Sequence, residues 1–473
     1  MEYGILSVIP PVTAIVLALL FKNVFLALFT GTFLALIIVG GGNPFLALNA
    51  TFTTYIDVFK DGANVIIFIT LMLLGALILM MEQSGGINGF VDYLTNKKEI
   101  VKSKKGAGIF TWIIGLLVFT SGTLSCLVTG AVSRPVNDAF EVPHEKSAFI
   151  VHTTSTPVCV LIPLSGWGAY MIGLLESQGV ENATAVLIKS IPLNFYAIIA
   201  VLAIPILIII GKDFGLMKKA EERAEKTGQL DEPKEGKKGY SPTSTSSGEE
   251  KVEKTTSAAN LGVPLLIMIS LIIGGMYVTG GGNIIEGDGY RAILWGIVTA
   301  VFVASIMYWK QKIFTPKEIL DKIFEGSGEM LPMVTILVFA FGMGSVTGQL
   351  GTGEYLGNAF SSILTPALLP ALIFILGQLI SFSTGTSMGT MAVMMPLAIP
   401  MALAMGVNVP LVAAAVWGGS IFGDHSSPIS DSTYLSCSTT GCDPIDHIKS
   451  QIPYTLTFGA VATILYIVAG FII

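Results

Sequence analysis

Nine apolar runs dominate this chain, and they leave it few folds to choose from. Residues 5–20, 24–40, 65–81, 109–128, 191–210, 263–278, 292–308, 333–346 and 456–472 contain no Asp, Glu, Lys or Arg. A helix needs about 20 apolar residues to cross a bilayer, so several runs must use small or polar neighbours to complete a span. Lipid offers the backbone no hydrogen-bond partners, and only helices or closed barrels satisfy it there. Charged residues make up 12% of the chain and mean hydropathy is +0.74, against roughly 25% charge in soluble domains. The expected fold is an all-α polytopic membrane protein.

Other classes fall away. The net charge of −6 is spread over the loops and offers no basic surface for a nucleic acid. The sequence has no GxxxxGK[ST] phosphate cradle and no soluble catalytic domain, which argues against an ATP-driven pump or an enzyme. Cys126, Cys159, Cys437 and Cys442 lack paired spacing and read as structural thiols. Cys437, Cys442 and His447 are not expected to hold a metal, and no cofactor is expected. The first apolar run follows Met1, Glu2 and Tyr3 without a basic segment or a cleavage site. It is therefore read as a retained helix.

Residues 212–260 break the apolar pattern with ten Lys or Arg, ten Asp or Glu and a polar run at 241–248. That composition reads as a soluble linker, partly helical and then disordered. It parts the chain into membrane halves, 1–211 and 261–473, whose motifs recur in the same order. Gln83-Ser84-Gly85 pairs with Gln349-Leu350-Gly351, and Thr120-Ser121-Gly122-Thr123 with Ser383-Thr384-Gly385-Thr386. Ser155-Thr156-Pro157 pairs with Ser426-Ser427-Pro428, and 188–192 with 448–453, each of these opening the last helix of its half. The shared order implies duplication.

Loop lysines set the orientation. Lys22, the cluster Lys97, Lys98, Lys102, Lys104 and Lys105, the linker, and Lys310, Lys312, Lys317 and Lys322 should all be cytoplasmic. The first cluster follows the third helix of its half and the last precedes the third helix of its own. The halves are therefore expected to be inverted repeats, with both termini outside. An even number of crossings must lie between Lys105 and Lys212. In one reading 107–137 is a re-entrant hairpin turning near Ser121-Gly122-Thr123, and 147–175 is a helix broken near 153–157. Its counterpart is a hairpin at 367–405 turning near Thr384-Gly385-Thr386, then a broken helix at 411–435. A second reading makes each hairpin two full-length helices, and the sequence leaves both open.

Chemistry concentrates at the breaks. Asp424, His425, Ser426, Ser427, Pro428, Ser430 and Asp431 follow a long apolar stretch. A charge at a bilayer centre costs roughly 2.5–3.5 kcal/mol on insertion scales, and proline frees a helix carbonyl. Carboxylate, hydroxyl and freed carbonyl oxygens together suit a small hard cation such as Na⁺. A helix-end cap is the alternative for Asp424 and Asp431, and Asp443, Asp446 and His447 read as structural. In the first half His152, Thr153, Thr154, Ser155, Thr156 and Pro157 suggest an unwound segment facing a polar cavity. Back-bonding of those hydroxyls to the preceding turn is the alternative. At the hairpin tips, Thr123, Ser125, Thr384, Thr386 and Ser387 accompany helix starts whose free amides suit anions. Close helix packing explains the same small residues. Trp167 reads as an anchor at the outer interface, with a place in the cavity lining as the alternative.

These residues carry a family resemblance. Ser133-Arg134-Pro135-Val136-Asn137-Asp138, residues 156–170 and residues 423–454 resemble the NhaC-type Na⁺/H⁺ antiporter family of bacterial inner membranes. The resemblance implies an elevator-type transporter, dimeric, with a scaffold and a moving domain of hairpins and broken helices. It implies a cell-membrane protein exchanging Na⁺ and H⁺ at Asp424, with Asp431, Ser426, Ser427 and the 153–156 hydroxyls nearby. One departure stands out: family members read Asp-Ser-Thr-Ala-Ala-Pro where this chain has His152-Thr153-Thr154-Ser155-Thr156-Pro157. The family also includes carriers of organic solutes. The alternative function is thus Na⁺- or H⁺-coupled transport of a carboxylate or amino acid through the same site.

Overall fold

The computed structural model describes residues 3–21, 23–86, 89, 101–119, 121–163, 165–232, 257–282, 287–361 and 365–473. The expectations for Lys22, Lys97, Lys98, Thr120 and the polar run 241–248 lie outside the described residues. Among those residues every regular element is a helix.

Polar residues at the ends of the apolar runs decide where the helices begin. Asn23, Asp61, Ser103, Ser165, Asn194 and Asn408 each accept a backbone N–H in the first turn that follows. A helix start leaves such amides without intrahelical partners, and these side chains supply them. Thr315 and Glu318 form a reciprocal capping box.

The first half runs α1 (Ile9–Phe21), α2 (Val24–Val39), α3 (Pro44–Val58), α4 (Gly62–Gln83), α5 (Lys104–Leu117) and α6 (Gly122–Ala139). It continues through α7 (His144–Thr153), α8 (Thr156–Cys159), α9 (Gly166–Glu176), α10 (Ala183–Ser190) and α11 (Phe195–Ile210), with α12 (Gly215–Thr227) in the charged segment. The second half holds α13 (Ala259–Thr279), α14 (Gly289–Lys310), α15 (Pro316–Glu329), α16 (Leu331–Gln349) and α17 (Thr352–Ser361). It ends with α18 (Leu369–Thr384), α19 (Ser387–Met405), α20 (Val409–Ser426), α21 (Asp431–Thr440) and α22 (Pro444–Ile472).

Nine helices among the described residues are long and apolar enough to cross a membrane, α4, α13, α16, α19 and α22 among them. Their outer faces are apolar: Leu202, Ile206 and Ile209 on α11 and Leu456, Ile464 and Phe471 on α22 are exposed. An apolar exterior of this kind fits lipid and not water. Inside, α4 and α15 cross where Gly75 meets Gly326. A Cβ on either glycine would strike the other's carbonyl oxygen, so the backbones touch as small residues permit in membrane bundles.

Both expected turns are present. The run 109–128 is interrupted, with α5 ending at Leu117 and α6 starting after Ser121. α18 and α19 turn at Gly385, whose φ of +69° favours a residue without a Cβ. Two expectations need correction. The broken helix at 147–175 has a second interruption, because α8 stops at Cys159 and Ser165 caps a new start at α9. Residues 188–192 do not open α11: they close α10 and form a 3₁₀ turn, after which Asn194 caps α11. Their partner 448–453 lies inside a continuous α22, where tyrosine follows the proline in place of Leu193-Asn194.

The charged segment does not leave the bundle at once. α12 buries Met217, Ala220 and Ala224 on one face. Lys146 bonds Asp213 at 2.8 Å and Glu221 at 2.7 Å, and Arg223 grips both oxygens of Glu145 at 3.0 and 2.9 Å. His144 stands between Asp231 at 2.9 Å and Asp138 at 3.1 Å. Burial opposes its charge, but the two carboxylates outweigh burial and hold its pKa above the ordinary 6.5. Lys146 is likewise raised, since Glu221 and Asp213 outweigh its desolvation.

Candidate functional site

The two hairpin tips and the two helix breaks meet around one cavity of about 400 Å³. Thr123 and Thr156 come from the first half; Thr386, Ser387, Asp424 and Asp431 come from the second. Three carboxylates reach its wall, those of Asp424, Asp431 and Glu329, and no Lys, Arg or His does among the described residues. An acidic wall without a fixed counter-charge attracts cations.

Each element has a local reason for its place. α20 ends at Ser426 because Pro428 lacks an amide hydrogen, and Ser427 N–H closes the helix on Gly423 O at 2.7 Å. Chain 427–430 then carries Ser430 back beneath Asp424, where its hydroxyl donates to Oδ1 at 2.6 Å. α21 restarts at Asp431, one of the exposed residues of this stretch, and Ser432 packs behind it. From the first half, Tyr170 OH donates to Met388 O at 2.7 Å, tying α9 to the first turn of α19. Thr439 Oγ1 donates to Cys126 O at 3.2 Å, fastening α21 to α6. Ser121 and Thr386 cap α6 and α19, so both helix starts face the cavity.

Other expected site residues stand behind the cavity wall. Thr153, Thr154 and Ser155 return their hydroxyls to Phe149 O, Ile150 O and His152 O at 2.7, 2.9 and 2.6 Å. These hydroxyls bond back to carbonyls of the preceding turn, and Ile150 O and His152 O also accept the backbone N–H groups of Thr154 and Ser155. Ser125 Oγ does the same across elements, reaching Thr154 O at 3.3 Å. Thr384 Oγ1 bonds Ile380 O at 2.9 Å, and Ser427 Oγ accepts from Ile429 N at 3.3 Å. Ser426 is buried off the wall.

The two expected histidines are fully buried behind Asp424. His425 lies between Tyr196 OH and Thr153 Oγ1, each at 2.9 Å. His152 meets Ser432 Oγ at 2.9 Å, His447 Nε2 at 3.0 Å and Gln451 Nε2 at 3.1 Å. No group of three His, Cys, Asp or Glu among the described residues is placed to hold a metal ion, and the four cysteines are buried and free.

Sequence reasoning missed Glu329 and Ser432, and for Trp167 it favoured the outer interface over the cavity lining. Trp167 is buried and lines the cavity. Ser432 adjoins Asp431 and could have been found by extending the polar run by one residue. Glu329 ends an amphipathic helix that follows a lysine cluster, and nothing local marks it as interior.

A sequence model described as the Na⁺/H⁺ antiporter family matches residues 158–471. An uncharacterized protein of Haemophilus influenzae is 28% identical, the match covering 98% of this chain and 91% of that one. The arginine/ornithine antiporter ArcD of Halobacterium salinarum is 26% identical over 46% of this chain and 43% of its own. A malate-2H⁺/Na⁺-lactate antiporter of Bacillus subtilis is 30% identical over 33% of this chain and 34% of its own. The chain thus spans less than half the length of these two named antiporters. Among solved structures, the YdaH transporter of Alcanivorax borkumensis superposes with a TM-score of 0.56 at 13% identity, covering 89% of this chain and 88% of that one. MtrF of Neisseria gonorrhoeae gives 0.55 at 14% identity, with 89% and 84% covered. At such identities the likeness establishes the fold alone.

Proposed function

The chain belongs to the Na⁺/H⁺ antiporter family, and from that premise we propose that it exchanges Na⁺ for H⁺ at Asp424 by alternating access. It is a multi-pass membrane protein and a secondary transporter; the finer reading is the identity of the ions and of the residues that hold them. The observation that carries it is the cavity wall, where three carboxylates stand without a single Lys, Arg or His among the described residues. One carboxylate that accepts either ion, never both, couples their fluxes in opposite directions by mass action. Asp431, Ser430 and Thr156 surround Asp424 as further oxygen donors. Glu329 adds a further carboxylate to the wall.

In this reading the halves are inverted repeats, and the hairpins with the broken helices move as an elevator against the remaining scaffold, within a homodimer. The charged segment is cytoplasmic and both termini lie outside the cell membrane. Both halves contribute a turn and a helix break to the cavity, which supports it. No cofactor takes part.

A second reading rests on the helix starts at Ser121 and Thr386. Their free amides could meet the carboxylate of an organic solute while the acidic groups hold its cation or amine. Proteoliposomes with a preset pH gradient separate the two. Na⁺ added without any organic solute should dissipate the gradient. If it does not, and a carboxylate or amino acid accumulates down a Na⁺ gradient, the antiport reading fails and the second stands.

A further inference from the structure

A chain of side-chain hydrogen bonds leads away from Asp424, and every hydrogen in it can be assigned. Gln451 donates from its amide nitrogen to the carbonyl of His425 and to His152 Nδ1, the latter at 3.1 Å. An amide nitrogen only donates, so His152 Nδ1 accepts and its proton sits on Nε2. His152 Nε2–H donates to Ser432 Oγ at 2.9 Å. Ser430 donates to Asp424 Oδ1 at 2.6 Å, so in the 2.8 Å contact between the two hydroxyls Ser432 is the donor, with Asp424 O at 3.4 Å as its longer second acceptor. On the far side, His447 Nε2 lies 3.0 Å from the same accepting His152 Nδ1. Its hydrogen is thus on Nε2, which leaves Nδ1 bare. That nitrogen is buried and has no hydrogen-bond partner among the described residues.

All four links point the same way, towards the carboxylate. A bare buried acceptor at the head of such a chain is costly unless it is used. His425 shows the contrast. Thr153 Oγ1 donates to Phe149 O at 2.7 Å and so accepts from His425 Nε2, while Tyr196 OH donates to His425 Nδ1. Both its nitrogens are occupied, and its ring is a structural tie. His447 instead sits one turn after the Asp443 cap of α22, between exposed Ile445 and Lys449.

We propose that His447, His152, Ser432 and Ser430 form a proton relay that serves Asp424 from the face where α22 begins, so that H⁺ and Na⁺ reach the carboxylate by different routes. The relay rests on the reading of Asp424 as the exchange residue. A proton taken up at His447 Nδ1 releases one from Nε2 to His152 Nδ1. His152 passes its Nε2 proton to Ser432, Ser432 passes one to Ser430, and Ser430 passes one to Asp424. Each intermediate group gains one proton and loses one, so one proton enters and one carboxylate is neutralised. Rotation of the hydroxyls and turnover of the rings restore the starting polarity. Chains of acidic and imidazole groups carry protons in this manner inside membranes.

The test uses His447→Gln, whose amide can still donate to His152 Nδ1 but cannot take a proton on its far side. Two fluxes are read in the same proteoliposomes: proton movement driven by a Na⁺ gradient, and exchange of radioactive Na⁺ at equal Na⁺ on both sides. The relay predicts that the first falls about tenfold or more relative to the second, because Na⁺/Na⁺ exchange needs no proton. Proton movement at the wild-type rate in His447→Gln overturns the relay alone. Equal loss of both fluxes overturns it in favour of a packing role. Wild-type vesicles that exchange Na⁺ yet move no protons overturn the antiport reading and the relay with it.

Discussion

Replacing Arg223 with methionine keeps much of the side chain's length and removes the charge that pins α12 to the bundle. The guanidinium donates to both oxygens of Glu145 at 3.0 and 2.9 Å, and to the carbonyls of Gln229 and Leu230 at 3.1 and 2.7 Å. Glu145 is 5% exposed and Arg223 15%, so water screens the pair weakly. Stripping one partner from a buried pair strands the other charge and costs about 3–5 kcal/mol. At about 1.36 kcal/mol per factor of ten, the open population of α12 rises by roughly two to nearly four orders of magnitude. Adding Glu145→Gln removes the stranded charge and should return about 0.5–3 kcal/mol of coupling. Hydrogen exchange of residues 215–227 in detergent reads the local opening free energy directly. Exchange at the wild-type rate in Arg223→Met, or a double variant as labile as the two single losses combined, would refute the ion pair as the clamp.

Three further outcomes can be checked. The pKa of His144 is raised in the folded protein, so its protonation stabilises the docked α12 below 6.5, and that contribution is lost as pH rises through the raised value. Exchange at 215–227, corrected for base catalysis, should therefore quicken above pH 6.5, and His144→Gln should flatten the trend. Gly385→Ala places a Cβ 2.8 Å from Ile429 Cγ1 at a φ of +69°. The left-handed strain alone is roughly 1–2 kcal/mol, and proteoliposome flux should drop while the protein still folds; wild-type flux would show that the tip and the break need not touch. Glu329→Gln should raise the Na⁺ concentration for half-maximal flux several-fold, and an unchanged value would remove Glu329 from the site.

Much of the fold could be read from residues with local signatures. Uncharged runs announce helices, Ser121 and Gly385 announce turns, and Pro157 and Pro428 announce breaks. The order of paired motifs even places tips and breaks together, which is where the cavity forms. The sequence hides what depends on distant partners. His152 and His447 are separated by 295 positions, and no local pattern says that two imidazoles share a hydrogen. The hydroxyls of Thr153, Thr154 and Ser155 look like ligands in sequence, yet the backbone of the broken helix claims them first. Glu329 looks like part of a charged loop until Gly75 and Gly326 bring α15 against α4. α12 reads as a linker because its charges are counted along the chain, whereas their partners Glu145 and Lys146 lie on α7.

The central claim is that Na⁺ and H⁺ compete for Asp424. Measuring the Na⁺ concentration for half-maximal flux as a function of pH tests it directly, in wild type and in Asp424→Asn. Competition predicts that this concentration rises as pH falls, approaching about tenfold per pH unit at the acid end. Asp424→Asn should show no Na⁺-driven proton movement at any pH. A half-maximal concentration that is independent of pH in the wild type, or Asp424→Asn that exchanges Na⁺ for H⁺ as the wild type does, would contradict it.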